Sequence, residues 1–142
     1  MRLFAYGTLA FPAVVEALLE RRLHARPARL EGFSRRRLRD RVYPGIVALP
    51  GAATQGVVIE GLGPRDLKRL DAFEGPLYER RRVEVTGPGS VRLPAETYVI
   101  AEARRALATS EPWSRERFER HHLAAWVRHC ARVRRALAPD VG

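Results

Sequence analysis

Two short segments carry the residue types and spacing that most suggest chemistry. The first is "YGTL" at residues 6–9, where an apolar strand that begins at Leu3 breaks at Gly7 before a helix near Pro12. A glycine-containing turn at the end of a strand leaves backbone N–H groups without regular partners, and such groups can hold an anion. The same turn can also be a plain connection, so the pattern alone leaves both interpretations open.

The second segment is "LDAFEGPLYERRRV", which closes a predicted helix over 64–74 and begins a strand. Glu74 lies in the last turn of this helix, where the negative end of the helix dipole disfavours a carboxylate. Its neighbours Phe73 and Leu77 are apolar. Both effects raise the pKa of a carboxyl group, which suits a proton carrier. The alternative is a solvated glutamate at a helix end.

Tyr78 and Arg80 lie two positions apart on the strand that follows, so they point to the same face of the sheet. One interpretation is that they orient Glu74 or contact a substrate. The other is that they are a half-buried tyrosine and a solvated arginine.

The histidines and the cysteine are weaker candidates. Glu119 and His122 have the spacing used in helical metal sites with bridging carboxylates, but such sites need a second pair on a partner helix, which the chain lacks. Cys130 lies on an apolar stripe of the predicted C-terminal helix, together with Phe118, Trp126, Val133 and Leu137. It has no sequence partner that would activate it as a nucleophile. We therefore expect no metal and a structural thiol. A single cysteine also fits a reducing cytoplasm.

Composition excludes several classes of protein. The 142 residues suit a single domain over 1–142, the hydrophobic fraction of 46% is that of a globular protein, and no apolar run approaches the roughly 20 residues of a membrane span. The net charge of +10 resembles that of a nucleic-acid binder. However, the 26 basic residues are spread along the chain and no binding motif accompanies them. We expect neither a membrane nor a nucleic-acid partner.

The elements that must position these segments do not alternate regularly. The patterning predicts a helix over 12–21, a strand in "ARLEGF" with an irregularity at Gly32, turns at 44–45 and 50–51, a strand in "QGVVIEGL", two strands around "GPGS", and a C-terminal helix at about 114–137. A doubly wound parallel sheet is therefore disfavoured. A small α+β domain fits better, with a curved, mixed, barrel-like β-sheet and a few flanking helices.

Together the two opening segments resemble the γ-glutamylcyclotransferase-like family, especially the branch first named for plant genes induced by avirulence signals. The order and spacing of "YGTL" and "LDAFEGPLYERRRVEV" carry the resemblance, which continues through "VYPGIV", "GVVIEGL", "AETYVIA" and "EPW" over most of the chain. It implies a small α+β fold around a mixed, barrel-like sheet with a cavity at one end.

Members of this family cyclise the glutamyl part of γ-glutamyl amines, amino acids or peptides to 5-oxoproline and release the amine. Carried over by motif, the resemblance implies that Glu74 is the acid/base residue. It also implies a substrate site lined by Tyr6, Gly7, Thr8, Leu9 and Tyr78. We expect a small γ-glutamyl substrate and no cofactor. The alternatives are a non-catalytic binder of a small anionic metabolite in the same cavity and, less favoured, a basic nucleic-acid-binding protein.

Overall fold

The computed structural model describes residues 1–141, with side chains through Leu137. Within these residues, five strands form a closed barrel in the order β1-β3-β2-β4-β5. The strands are β1 (Leu3–Ala5), β2 (Ala25–Arg37), β3 (Pro44–Ile59), β4 (Tyr78–Thr86) and β5 (Arg92–Ile100). The β1–β5 pair is parallel and the other pairs are antiparallel, so the sheet is mixed. The predicted α+β fold with a barrel-like sheet is confirmed.

Helices flank the barrel. In the described part of the chain they are α1 (Pro12–Leu19), α2 (Pro64–Glu74), α3 (Arg115–His121) and α4 (Leu123–Val141). A proline at the first position begins both α1 and α2, where its missing N–H removes no helical hydrogen bond. Gly75 ends α2 with a φ of 69°, a conformation that favours glycine. No helix among these residues is long and apolar enough to cross a membrane.

The single C-terminal helix predicted at about 114–137 is wrong, because two helices occupy this region. The chain leaves helical geometry at His122, which has φ −130° and ψ −21°. Phe118 of α3 is buried, with its ring centroid 5.5 Å from that of Phe11 and 5.6 Å from that of Trp113. No glycine or proline stands at the break, and the His122 N–H still donates to the Phe118 carbonyl at 2.8 Å.

The turns predicted at 44–45 and 50–51 are also wrong, since β3 runs through both. Pro44 is the first residue of the strand, where a missing N–H is tolerated. Gly51 lies in the irregularity where the register of β2 and β3 shifts at Gly32, and both glycines have a φ of 85°. The irregularity predicted at Gly32 is therefore confirmed, and it bends the paired strands instead of ending one of them.

Two hydrophobic clusters hold the barrel and the helices together. Along β1, Leu3 and Ala5 belong to the cluster that packs on the helices, whereas Phe4 belongs to the cluster inside the barrel. This alternation follows from the two-residue period of a strand. The helix-side cluster includes Val14, Leu18, Leu67, Leu70, Phe118 and Cys130, and the barrel cluster includes Tyr6, Leu30, Ile46, Val58, Val85 and Val99.

Candidate active site

A cavity of about 540 Å³ lies where β1 ends and where β3 and β4 begin. All six site residues predicted from the sequence line it, namely Tyr6, Gly7, Thr8, Leu9, Glu74 and Tyr78. The structure therefore brings the turn after β1 and the end of α2 together around one space. The roles of these residues remain predictions.

The turn after β1 contributes backbone donors to this space. Residues 8–10 form a short 3-10 helix. Its hydrogen bonds begin with the Ala10 N–H, which donates to the Gly7 carbonyl at 3.1 Å, and continue with the Phe11 N–H, which donates to the Thr8 carbonyl at 3.2 Å. The N–H groups of Gly7, Thr8 and Leu9 precede this pattern and take no part in it. They are the donors that this turn can offer to an anion.

Gly7 is required by the close approach of Pro44. A Cβ atom at position 7 would lie 2.7 Å from Pro44 Cγ and 2.8 Å from Pro44 Cδ, which is too close for any side chain. The Pro44 carbonyl accepts a hydrogen bond from the Tyr78 hydroxyl at 2.6 Å. Pro44 thus connects the turn to the first residue of β4. The sequence alone does not indicate this role, because a Pro-Gly pair such as that at 44–45 usually marks a turn.

Arg35 supports the same turn from β2. Its guanidinium Nη1 donates to the Tyr6 carbonyl at 2.8 Å, and its Cζ lies 5.4 Å from the centroid of the Trp113 ring. The Trp113 indole N–H in turn donates to the Val42 carbonyl at 2.8 Å. The arginine run in "SRRRLR" gave no signal that one member is folded inward.

Glu74 ends α2 in the wall of the cavity. Its side chain is half-buried, and among the described residues its carboxylate makes no hydrogen bond or ion pair. Burial raises the pKa of Glu74 to about 8, and the negative charge of Asp71 adds to this effect. The upward direction agrees with the sequence prediction, but burial is the larger cause. Near neutral pH this carboxyl group is divided between its two forms, so it can both take up and release a proton.

Three tyrosines around Glu74 donate their hydroxyl hydrogens to protein acceptors. Besides the bond from Tyr78 described above, the Tyr6 hydroxyl donates to the Tyr98 carbonyl at 2.5 Å, and the Tyr98 hydroxyl donates to Asp71 Oδ1 at 2.7 Å. Burial raises the pKa of Tyr6 and Tyr78 well above the ordinary value, and the charge of Glu74 contributes. These hydroxyl groups therefore stay protonated, and toward a ligand they can only accept hydrogen bonds.

Arg80, which shares a strand with Tyr78, does not line the cavity. Its Nε lies 3.0 Å from Asp71 Oδ1, and its Nη1 lies 3.3 Å from Glu96 Oε1. Asp71 therefore receives hydrogen bonds from Arg80 and Tyr98 together. This arrangement fixes a second carboxylate one helical turn before Glu74.

A further part of the cavity wall comes from α4 and from two arginines. The lining residues there include Arg41, Arg104, Trp126, His129, Val133 and Leu137. The Trp126 ring centroid lies 5.0 Å from that of His129, 5.4 Å from that of Tyr43 and 6.0 Å from that of Phe73. Sequence reasoning placed Trp126, Val133 and Leu137 on one apolar stripe but had no signal that the stripe faces a cavity.

A family model described as gamma-glutamyl cyclotransferase, AIG2-like matches residues 3–115. The chain belongs to this family. The matched region contains the six predicted site residues, whereas α4 lies outside it.

Individual relatives agree with this membership. AIG2-like protein C of Arabidopsis thaliana is 44% identical over 98 residues, which are 68% of this chain and 57% of that protein, so the match spans less than two thirds of the relative. A solution structure of another A. thaliana protein is 32% identical with a TM-score of 0.71, covering 90% of this chain and 78% of that chain.

A more distant structure shows the same fold. The yeast gamma glutamyl cyclotransferase specific to glutathione has a TM-score of 0.62 at 13% identity, covering 96% of each chain. The γ-glutamylcyclotransferase-like fold expected from the resemblance is therefore confirmed.

Proposed function

We propose that this protein is a γ-glutamylcyclotransferase-type enzyme that converts the glutamyl part of a γ-glutamyl amine, amino acid or peptide into 5-oxoproline and releases the free amine. The observation that carries the proposal is that Glu74, with its raised pKa, shares one cavity with the amides of Gly7, Thr8 and Leu9, which have no hydrogen-bond partner among the described residues. Membership of the family supports the class of reaction.

Glu74 is the proposed acid/base residue. In its ionised form it takes a proton from the α-ammonium of the substrate, and the freed nitrogen attacks the γ-carbonyl carbon. The new C–N bond closes a five-membered ring, and the C–N bond to the leaving amine breaks. Glu74 then returns its proton to the leaving nitrogen. The ring nitrogen loses its second proton through the same carboxylate to the released amine, which departs as an ammonium, so one group serves all the proton transfers and no water is consumed. A pKa of about 8 suits this exchange near neutral pH.

The remaining lining residues hold the substrate in a reactive shape. Because the nucleophile is tethered to the electrophile, fixing the glutamyl chain lowers much of the barrier. The hydroxyl oxygens of Tyr6 and Tyr78 accept hydrogen bonds from the α-ammonium, since their own hydrogens are donated to the protein. The amides of residues 7–9 hold an anion of the substrate, which is either the α-carboxylate or the oxyanion that develops at the γ-carbonyl.

The proposal is tested by incubating the protein with γ-glutamyl amines, amino acids and peptides and measuring 5-oxoproline. Glu74→Gln keeps the size of the side chain and removes the proton carrier, so turnover should fall by about 100-fold or more. Glu79→Gln is the matched control, because Glu79 is exposed on β4 outside the cavity. Unchanged turnover in Glu74→Gln, with the fold intact by circular dichroism, would exclude Glu74 from the mechanism.

The alternative of a non-catalytic anion binder makes a different prediction for the same experiment. A carboxylate in the cavity weakens the binding of an anion, so Glu74 favours the enzyme. Binding without 5-oxoproline formation across the whole panel would favour the binder. The cytoplasmic location inferred from the single cysteine stays a prediction.

A further inference from the structure

The cavity extends beyond the part of the chain that the family model matches. Trp126, His129, Val133 and Leu137 line it, and all four lie on α4, after residue 115. A volume of about 540 Å³ is within the range of pockets that bind ligands of drug size. In the proposed reaction the glutamyl group lies beside Glu74, which leaves the space beside α4 for the rest of the substrate.

The cavity wall carries more positively charged than negatively charged side chains. Glu74 is the one acidic residue among the described lining residues, whereas Arg41 and Arg104 are both basic. Burial raises the pKa of Tyr78, and the positive charge of Arg41 acts in the opposite direction, which places this guanidinium near the site. Two positive charges attract a carboxylate and repel an amine that carries a further cation.

The surface beside these charges is apolar. Trp126 packs among the rings of Tyr43, Phe73 and His129, and Val133 and Leu137 continue the wall along α4. Aromatic and aliphatic side chains of this kind bury an apolar group of a ligand at little entropic cost, because α4 fixes their positions. The wall therefore combines an anion-attracting edge with an apolar face.

We propose that this region is the subsite for the leaving amine and that the preferred amine is an α-amino acid or peptide residue with a free carboxylate and an apolar side chain. We call it the leaving-amine subsite, and it consists of Arg41, Arg104, Trp126, His129, Val133 and Leu137. The assignment rests on the proposed function. In it the carboxylate of the amine binds the two arginines, its side chain packs on α4, and an amine with a free cation is disfavoured.

Four substrates that differ only in the amine test this assignment. They are γ-glutamyl-phenylalanine, γ-glutamyl-phenethylamine without the carboxylate, γ-glutamyl-glycine without the ring, and γ-glutamyl-putrescine with a free cation. The kcat/KM of γ-glutamyl-phenylalanine should exceed that of each other compound by about tenfold or more, because a charged hydrogen bond or a buried ring discriminates to this extent.

Variants separate the two parts of the subsite. Arg41→Gln with Arg104→Gln should bring the phenylalanine-to-phenethylamine ratio of kcat/KM close to one. Leu137→Ala should lower the phenylalanine-to-glycine ratio. The control is Arg128→Gln with Arg132→Gln, which removes the same charge from exposed positions of α4 outside the cavity and should leave both ratios unchanged.

The outcomes distinguish failure of the subsite from failure of the reaction. If 5-oxoproline forms but γ-glutamyl-putrescine is preferred, or the arginine variant keeps the wild-type ratios, the subsite assignment is overturned. If no compound gives 5-oxoproline, the proposed function fails, and calorimetric binding of the same four compounds decides on the subsite. Tighter binding of γ-glutamyl-phenylalanine that is lost in the arginine variant supports the assignment, whereas equal or absent binding overturns it.

Discussion

The carboxyl group of Glu74 should make the stability of the fold depend on pH. Its pKa is raised from an ordinary 4.5 to about 8, mainly by burial. The folded protein therefore holds this proton more tightly than the unfolded chain does. The resulting stabilisation is fully present below pH 4.5 and is lost progressively as the pH rises to about 8. Glu74→Gln removes the ionisation and hence this loss.

The size of the effect follows from the two pKa values. Each pKa unit corresponds to about 1.4 kcal/mol. Compared with a glutamate whose pKa does not change on folding, Glu74 therefore weakens the folded state by about 1 kcal/mol at pH 5, where only the unfolded chain ionises, and by about 5 kcal/mol at pH 9. Water that enters the cavity screens the ionised form, which makes these upper values. The variant Glu74→Gln should therefore become more stable relative to the wild type as the pH rises. Between pH 5 and pH 9, the difference between their free energies of unfolding should change by up to about 4 kcal/mol in favour of the variant.

Urea unfolding followed by tryptophan fluorescence at pH 5, 7 and 9 measures this difference, and the titration of groups that do not interact with Glu74 cancels in it. Glu79→Gln, at an exposed position of β4, should follow the wild type at every pH. A difference between wild type and Glu74→Gln that stays constant with pH would refute the raised pKa. The acid/base role argued from that pKa would lose its support as well.

Three further substitutions test the geometry of the site. Gly7→Ala puts a Cβ atom 2.7 Å from Pro44, so we expect a loss of about 1–3 kcal/mol in urea unfolding together with a loss of turnover; normal values of both would contradict the close approach. Tyr78→Phe removes the hydrogen bond to Pro44 and should lower the free energy of unfolding by about 1 kcal/mol, whereas no change would mean that this bond adds no net stability. In the wild type, kcat/KM should rise with pH up to about pH 8, the pKa of Glu74. Asp71→Asn removes a negative charge that raises the pKa of Glu74, so the increase in kcat/KM should occur at lower pH. An unchanged pH profile would show that the charge of Asp71 does not affect the pKa of Glu74.

Local sequence signals were sufficient to predict the ends of an element when residues with strong backbone preferences bound it. Pro64 and Gly75 delimit α2 at both ends, so the position of Glu74 at a helix terminus could be predicted. The same kind of signal gave a wrong prediction of turns at 44–45 and 50–51, because proline and glycine usually mark turns. At 44–45 pairing with β2 overrides that local preference, whereas 50–51 lies in the irregularity opposite Gly32, within the same strand.

The cavity beside α4 could not be predicted from the sequence for a different reason. The stripe that contains Trp126, Val133 and Leu137 has the same helical spacing whether it packs against a filled core or lines a space. Whether the stripe packs against a core or lines a cavity depends on the end of the barrel and on α2, which lie far from α4 in sequence. Periodicity therefore identified the inward face of α4 but not what that face meets.

The most informative feature of the site is that the Glu74 carboxylate has no ion-pair partner among the described residues, although the chain is rich in positive charges. The sequence has 26 basic residues, and an arginine beside Glu74 would lower its pKa and hold it as an ion pair. Arg80 instead binds Asp71 and Glu96, and no other described cation pairs with Glu74. The nearest tyrosine hydroxyl groups are occupied by carbonyl acceptors, so they do not stabilise the carboxylate either. Because the network around Asp71 holds Arg80 outside the cavity, Glu74 keeps its high pKa until a cation arrives, and the α-ammonium of a glutamyl substrate is the cation that the proposed reaction brings.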